Sequence, residues 1–326
     1  MTPVHIVFIF VITALMSFLG TKLLLGFLKD RKIFDTPNER SSHRKPVPKG
    51  GGIVVIGVAA IALIIIFNQS NKTYLPFIIA ALILAIISWA DDLKELPASL
   101  RLTSQFIAVT FVLLMMPPSQ AYFHGLIPNW FEIIIIAVVW VWFINIFNFM
   151  DGIDGITSIE TISIGLGLFL IILINDAPPE IGLSGLALAA SALGFIWWNW
   201  SPSKLFLGDV GSIPLGFIIG WLLLQVLATP LWPIGIIIPL YYLADATITL
   251  LKRCLNKECF WLPHRKHFYQ IATNRGLSHA HISTVILILN ICLIGWAWLS
   301  LLYPIISIFC ASLNVTLILF YFRGIK

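Results

Sequence analysis

The sequence predicts an all-α, polytopic integral membrane protein of about eleven transmembrane helices. Of its 326 residues, 59% are hydrophobic and 11% charged, and the mean hydropathy is +0.96, well outside the balance of soluble globular domains. Apolar runs near the length of about 20 residues that a bilayer core demands recur along the whole chain. Lys and Arg gather in alternate loops, the positive-inside distribution of a chain threaded repeatedly through a membrane.

The candidate spans cover 4–27, 50–67, 74–90, 102–117, 131–147, 156–174, 182–199, 212–228, 232–250, 283–302 and 304–322. The first has no basic segment ahead of it and no small-residue cleavage site behind it, so it is expected as a retained helix. Span three closes on Asp91 and Asp92, and Arg101 opens span four after a turn at Pro97. Span five runs into NFMDGIDG at 148–155, and span eight starts with Ser212 as expected N-cap and Pro214 in its first turn. Only the connections 29–50 and 251–282 are long, no repeat or soluble domain is visible, and 1–326 is expected as one transmembrane domain.

An odd number of spans puts the termini on opposite faces. One face receives Lys29 to Lys49, Lys94, Arg101, Lys204, the 252–275 cluster, Arg323 and Lys326, whereas the other receives Lys72 alone. The basic face is therefore expected to be cytoplasmic, with the N-terminus outside and the C-terminus inside. The pI near 9.0 records topology, and no loop interleaves aromatic and basic residues as an RNA-binding surface would, so nucleic acid is excluded as a partner. Cys292 and Cys310 lie in spans and Cys254 and Cys259 in a cytoplasmic loop, which leaves no disulfide framework.

Six carboxylates, Asp91, Asp92, Asp151, Asp154, Asp209 and Asp245, fall at or just inside cytoplasmic span ends. Alone, each reads as a solvated helix cap; six on one face point to a site, because carboxylates at membrane depth are costly. The adjacent pair Asp91 and Asp92 repels unless a cation holds it, and magnesium takes one or two carboxylates while leaving positions for water and phosphate oxygens. Asn145, Asn148 and Asp151 recur every third residue along a helix end, and Gly152 and Gly155 beside them let a ligand approach the main chain. The loop NWSPSKLFLGDVGS carries Asn199, Lys204, Phe206 and Asp209 next to a helix N-terminus, where phosphate binds readily.

The 251–282 loop is crowded with cations, among them Arg253, Arg265, Lys266 and Arg275, with His264, His267, His279 and His281, as a diphosphate clamp would be. Cys254, Cys259, His264 and His267 could instead form a zinc site, although their spacings depart from the usual ones. Ser41, His43, Lys45 and Lys49 offer donors at the mouth of span two, but the glycines there lack the order of a P-loop.

SSHRKPVPKGGGI, DDLKEL, NFMDGIDGI, FLGDVGS and the His/Arg loop, in this order and each at a cytoplasmic span end, resemble the polyprenyl-phosphate N-acetylhexosamine-1-phosphate transferases of glycosyltransferase family 4. That group includes the enzymes initiating O-antigen, common antigen and teichoic acid and the peptidoglycan translocase that makes lipid I. The resemblance implies a multi-pass enzyme of the bacterial inner (cytoplasmic) membrane. It would pass sugar-1-phosphate from a UDP-N-acetylhexosamine to undecaprenyl phosphate, release UMP and require magnesium, for which manganese could substitute.

By the same resemblance Asp209 would hold the metal with Asn148, and Asp91 and Asp92 would lie at the polyprenyl-phosphate end, one of them accepting its proton. Asn145, Asn148, Asp151 and Asp154 would shape the nucleotide site, Asn199 would support the metal-diphosphate, and Phe206 would stack on uracil. Lys49, His264, Arg265 and His267 would engage the diphosphate or sugar. A homodimer is compatible with the pattern. The sequence His-Arg-Lys-His, where the translocase has clustered histidines, argues for a simple sugar donor over a UDP-MurNAc-pentapeptide. Polytopic form alone also suits a flippase or transporter of lipid-linked or nucleotide sugars, but those place polar groups near the midplane and often carry inverted repeats, and neither is visible here.

Overall fold

A computed structural model describes residues 2–37, 45–68, 74–116, 122–123, 126–175, 178–258 and 264–324. In chain order these form α1 (Pro3–Asp30), the two-residue strands β1 (Phe34–Asp35) and β2 (Val47–Pro48), α2 (Gly52–Phe67), α3 (Leu75–Leu93), α4 (Ala98–Met115), α5 (Asn129–Phe149), α6 (Ile156–Ile174) and α7 (Pro179–Asn199). There follow α8 (Asp209–Leu227), α9 (Trp232–Ile237), α10 (Leu240–Leu255), α11 (Phe268–Asn274), α12 (His279–Leu299) and α13 (Pro304–Arg323). β1 and β2 pair antiparallel, with Phe34 opposite Pro48.

Nine helices among the described residues are long and apolar enough to cross a membrane by length and composition, and α2 is a shorter apolar one. The protein is thus a nearly all-helical, polytopic membrane protein. The expected span 232–250 is not one helix. It breaks between α9 and α10 at Ile238–Pro239, since a proline supplies no N–H and its ring disturbs the preceding turn.

α8 is the axis of the bundle, almost wholly enclosed by neighbours, and α3, α5 and α2 pack against it. Two aromatic joints fix it. Phe217 stacks on Phe77 of α3 and on Trp140 of α5 at centroid distances of 5.5 and 4.8 Å, and the Trp140 indole N–H donates to the Phe217 carbonyl at 3.0 Å. On the far side of α8, α6 and α7 cross through Gly165 and Gly185, each meeting the other helix's backbone, which is how small residues bring membrane helices together. Leucines, isoleucines and phenylalanines left exposed on α1, α4, α5 and α13 form the outer surface. The starts of α2, α4, α6 and α8 and the ends of α3, α5, α7 and α10 lie at one end of the bundle, where hydrogen bonds link their loops.

Candidate active site

The site is built around the first turn of α8. Gly208 takes a left-handed conformation, φ +77°, and a Cβ there would stand 2.7 Å from the Asp92 carboxylate. A residue without a side chain is required on both counts. Asp92 closes this turn, accepting the backbone N–H of Asp209 at 3.1 Å and of Val210 at 3.0 Å. The helix N-terminus expected to receive phosphate is therefore occupied by a carboxylate of α3, a placement the helix dipole favours. Lys49 reaches the same carboxylate at 3.4 Å. Its segment is stitched to the loop before α8, with Gly50 and Gly51 N–H donating to the Phe206 carbonyl and Phe206 N–H to Pro48.

Ser212 was expected to cap α8; the helix instead begins at Asp209, and the Ser212 hydroxyl sits inside it, bonded to the Gly208 carbonyl. Asn148 uses one amide nitrogen to hold Ser212 Oγ at 2.9 Å and Asp209 Oδ1 at 2.8 Å. Pro214 lies in the second turn rather than the first.

Asp91 accepts from Leu96 N–H at 2.6 Å and from Arg101 at 3.1 Å, and the same guanidinium nitrogen lies 3.7 Å from Asp209 Oδ2. Arg101 thus bridges a carboxylate of α3 and one of α8. Both oxygens of Asp91 and of Asp92 are committed to hydrogen bonds in this arrangement. Asn145 stands beside Asn148 on α5 and donates to Gln105 of α4 at 2.6 Å. Between α4 and α5 runs a groove with Arg101, Gln105, Asn145 and Asn148 at its polar part and Leu102, Phe106, Val138 and Trp142 along its walls.

Asp151 follows α5 in the loop. Burial and the nearby Asp92 charge push its carboxyl up to about 7, against the Thr157 hydroxyl, which lowers it. Asp154 turns elsewhere, accepting from Ser203 N–H at 3.3 Å and lying 3.3 Å from His279 Nδ1 of α12. Asn199 is buried and employed in bonds within the protein: its oxygen accepts from Gly155 N–H and Ser158, and its amide donates to the Leu205 carbonyl. It positions the NFMDGIDG and FLGDVGS loops. The Phe206 side chain is partly exposed beside Lys49.

The His/Arg loop reaches this shelf through Tyr269, whose hydroxyl donates to the Phe149 carbonyl and packs so closely on Gly152 that a Cβ there would collide with it. His267 is buried, its Nδ1 3.4 Å from Asp245, and His264 lies 4.8 Å from it ring to ring. Burial and the charges of His267, Arg253 and Lys266 lower His264 to about 4, so it is a neutral imidazole near pH 7 rather than one of the expected cations. Lys266 and Arg253 are both spent on Glu258, at 2.6 and 3.1 Å. The Arg265 Nε is buried with no partner among the described residues, a donor unsatisfied within the protein.

Asp245, one of the six carboxylates at cytoplasmic span ends, has a role that its sequence context leaves open. It is fully buried and accepts the N–H groups of Phe268 and Tyr269 and the hydroxyls of Tyr241 and Thr249. It orients the loop. The only advance sign was an aspartate in an otherwise apolar helix. Ser41, His43 and Cys259 lie outside the described residues; Cys254 is a free, exposed thiol, and no His/Cys/Asp/Glu group among the described residues forms a closed metal cage.

The donor set still suits magnesium. Among the described residues, the three carboxylates Asp91, Asp92 and Asp209 share the two cations Lys49 and Arg101, which leaves negative charge in excess, and magnesium is held by one or two carboxylates with phosphate oxygens and water completing its shell. Asp209, whose Oδ2 is not engaged by Asn148, and the Asn148 side chain are the residues that would hold it.

Fold and site together define a polytopic helical membrane protein with a cluster of carboxylates beside a groove at one end of its bundle. Residues 74–227 match the model of Glycosyl transferase family 4, the group that the sequence motifs resemble. The chain is 28% identical over 288 residues to a probable undecaprenyl-phosphate N-acetylglucosaminyl 1-phosphate transferase of Bacillus subtilis, covering 85% of this chain and 79% of that one. An undecaprenyl-phosphate alpha-N-acetylglucosaminyl 1-phosphate transferase of Thermotoga maritima is 30% identical over 204 residues, 62% of this chain and 60% of its own. A phospho-N-acetylmuramoyl-pentapeptide-transferase of Wolbachia pipientis is 28% identical over 218 residues, 61% of this chain and 67% of that one.

Proposed function

We propose that this protein transfers N-acetylhexosamine-1-phosphate from a UDP-sugar to undecaprenyl phosphate, releasing UMP and starting a lipid-linked surface glycan such as O-antigen. Its site would face the cytoplasm from the bacterial inner membrane. The observation that carries the reading is the gathering of Asp209, Asn148, Arg101 and Asp91 from four separate elements at the head of an apolar groove. Named relatives that act on undecaprenyl phosphate support it.

The α4–α5 groove suits the acceptor: a prenyl chain against Leu102, Phe106 and Val138, its phosphate toward Arg101. Arg101 then brings that phosphate and Asp209 to one place, and positioning accounts for most of what phosphoryl transfer needs. Magnesium would neutralise the donor diphosphate and the charge that builds on departing UMP. Arg265, with its unsatisfied Nε, the neutral His264, and His267 beside it approach from the other loop to bind the diphosphate or sugar. A phosphate monoester with a second pKa near 6 is mostly dianionic at neutral pH, so the acceptor needs little help from a general base. That agrees with Asp91 and Asp92 being engaged in holding α8 and Arg101.

Membranes carrying the protein, given UDP-N-acetylglucosamine, undecaprenyl phosphate and magnesium, are expected to release UMP and form a lipid-diphosphate sugar. Asp209→Asn should lower the rate about 10²- to 10³-fold, the loss typical of a preorganised electrostatic contact. Wild-type turnover by Asp209→Asn would refute the assignment of this residue. A transporter would move sugar without releasing UMP.

A further inference from the structure

A second pocket, of about 190 Å³, opens between the end of α10, the loop before α11 and the end of α13, apart from the groove and the carboxylates. Four cations line it, Lys252, Arg253, Lys266 and Arg323, against one carboxylate, Glu258. Arg253 and Lys266 are already paired with that carboxylate. Lys252 lies over the Phe268 ring at 4.7 Å, and neither it nor Arg323 has an acidic partner among the described residues. We propose that this pocket binds the phosphate of an anionic glycerophospholipid, held between Lys252 and Arg323.

Three features make it a lipid site rather than a solvated basic face. Arg323 ends a helix long and apolar enough to span the bilayer, so the pocket sits where headgroups lie. Leu251 and Leu255, 57% and 82% exposed, bracket Lys252 on α10 and offer an acyl chain an apolar strip next to the charge. The pocket rim is also braced: Arg275 caps the last carbonyls of α13, donating to Tyr321 and Phe322 at 2.8 and 3.0 Å, and Gly324 closes the helix in a left-handed conformation. Paired cations at a span end are the usual recognition of an anionic headgroup.

The test is a melting titration of the full-length protein in neutral detergent with dioleoyl phosphatidylglycerol, dioleoyl phosphatidylcholine or glycerol phosphate. Its readout does not depend on the reaction proposed above. Phosphatidylglycerol should raise the midpoint, and phosphatidylcholine and glycerol phosphate should not. Lys252→Gln/Arg323→Gln should need about 30-fold more phosphatidylglycerol for the same rise, since each interfacial cation contributes about a fivefold gain in affinity. Lys29→Gln/Lys32→Gln, which removes two basic charges elsewhere, should respond as wild type. Should the double variant fold poorly, Lys252→Gln alone should still show about a fivefold loss and Lys252→Arg none.

An undiminished response of the Lys252 and Arg323 variants, or an equal loss in the Lys29 and Lys32 control, overturns the proposal. So does stabilisation by glycerol phosphate equal to that by the lipid, which would make this a free-phosphate site. If the variants raise the KM for undecaprenyl phosphate instead, the pocket belongs to the acceptor and the proposal fails equally.

Discussion

Two histidines three residues apart, His264 and His267, take up different duties because their surroundings differ. His267 turns toward the buried Asp245, whereas burial, and with it the charges of His267, Arg253 and Lys266, lowers His264 to about 4. Between pH 4 and about 6.5 the unfolded chain protonates His264 and the folded protein does not, so this residue costs stability as pH falls through that window. His264→Gln should flatten the decline of the melting midpoint between pH 6.5 and 4; an unchanged profile would show that the ring is not held neutral. At this scale the sequence was legible only in part. It marked Asp92 and Asn199 as polar groups near the site, but not that Asp92 closes the first turn of α8 or that Asn199 joins two loops. Each needs partners more than 40 residues away.

Among the elements, the broken pair α9 and α10 is the one the hydropathy pattern misread. An apolar run of sufficient length looks like one span, and Pro239 inside it could mark either a kink or a break. The break starts a new helix, α10, whose inward face carries Tyr241, Asp245 and Thr249 at i, i+4 and i+8, and Asp245 fastens α11 to it. Asp245→Asn puts an amide where two backbone N–H groups donate and should leave at least one unsatisfied, at about 1–3 kcal/mol. A lower melting midpoint and weaker UDP-sugar binding are expected together, because α11 carries Tyr269 against Gly152. Retention of both would show that Asp245 does not position the loop. Elsewhere element boundaries followed the sequence closely: α3 ends just past Asp91 and Asp92, and α5 ends just ahead of Asp151.

For the whole molecule, the segregation of Lys and Arg predicts which face meets the cytoplasm. In a variant with all four cysteines replaced by serine, Lys204→Cys should react with an impermeant maleimide only after the inner membrane is opened, and Leu126→Cys should react in intact spheroplasts. The reverse pattern would place the site outside. The grouping of Asp91, Asp92, Asp151 and Asp209 at one end of the bundle follows from this same threading, since alternate loops of an up-and-down bundle must share a face.

The sequence by itself determined the class, the approximate spans, the basic face and the residues that crowd it, because hydropathy, charge segregation and loop motifs are local properties of the chain. Only the tertiary structure decided which of those residues meet: that Arg101 joins Asp91 to Asp209, that Asp92 rather than phosphate fills the head of α8, and that Lys252 and Arg323 share a pocket. These depend on how helices distant in sequence cross, through contacts such as Gly52 against Gly211 and Phe217 between Phe77 and Trp140. Packing of that kind sums many weak, non-local contacts, and no local pattern encodes its outcome.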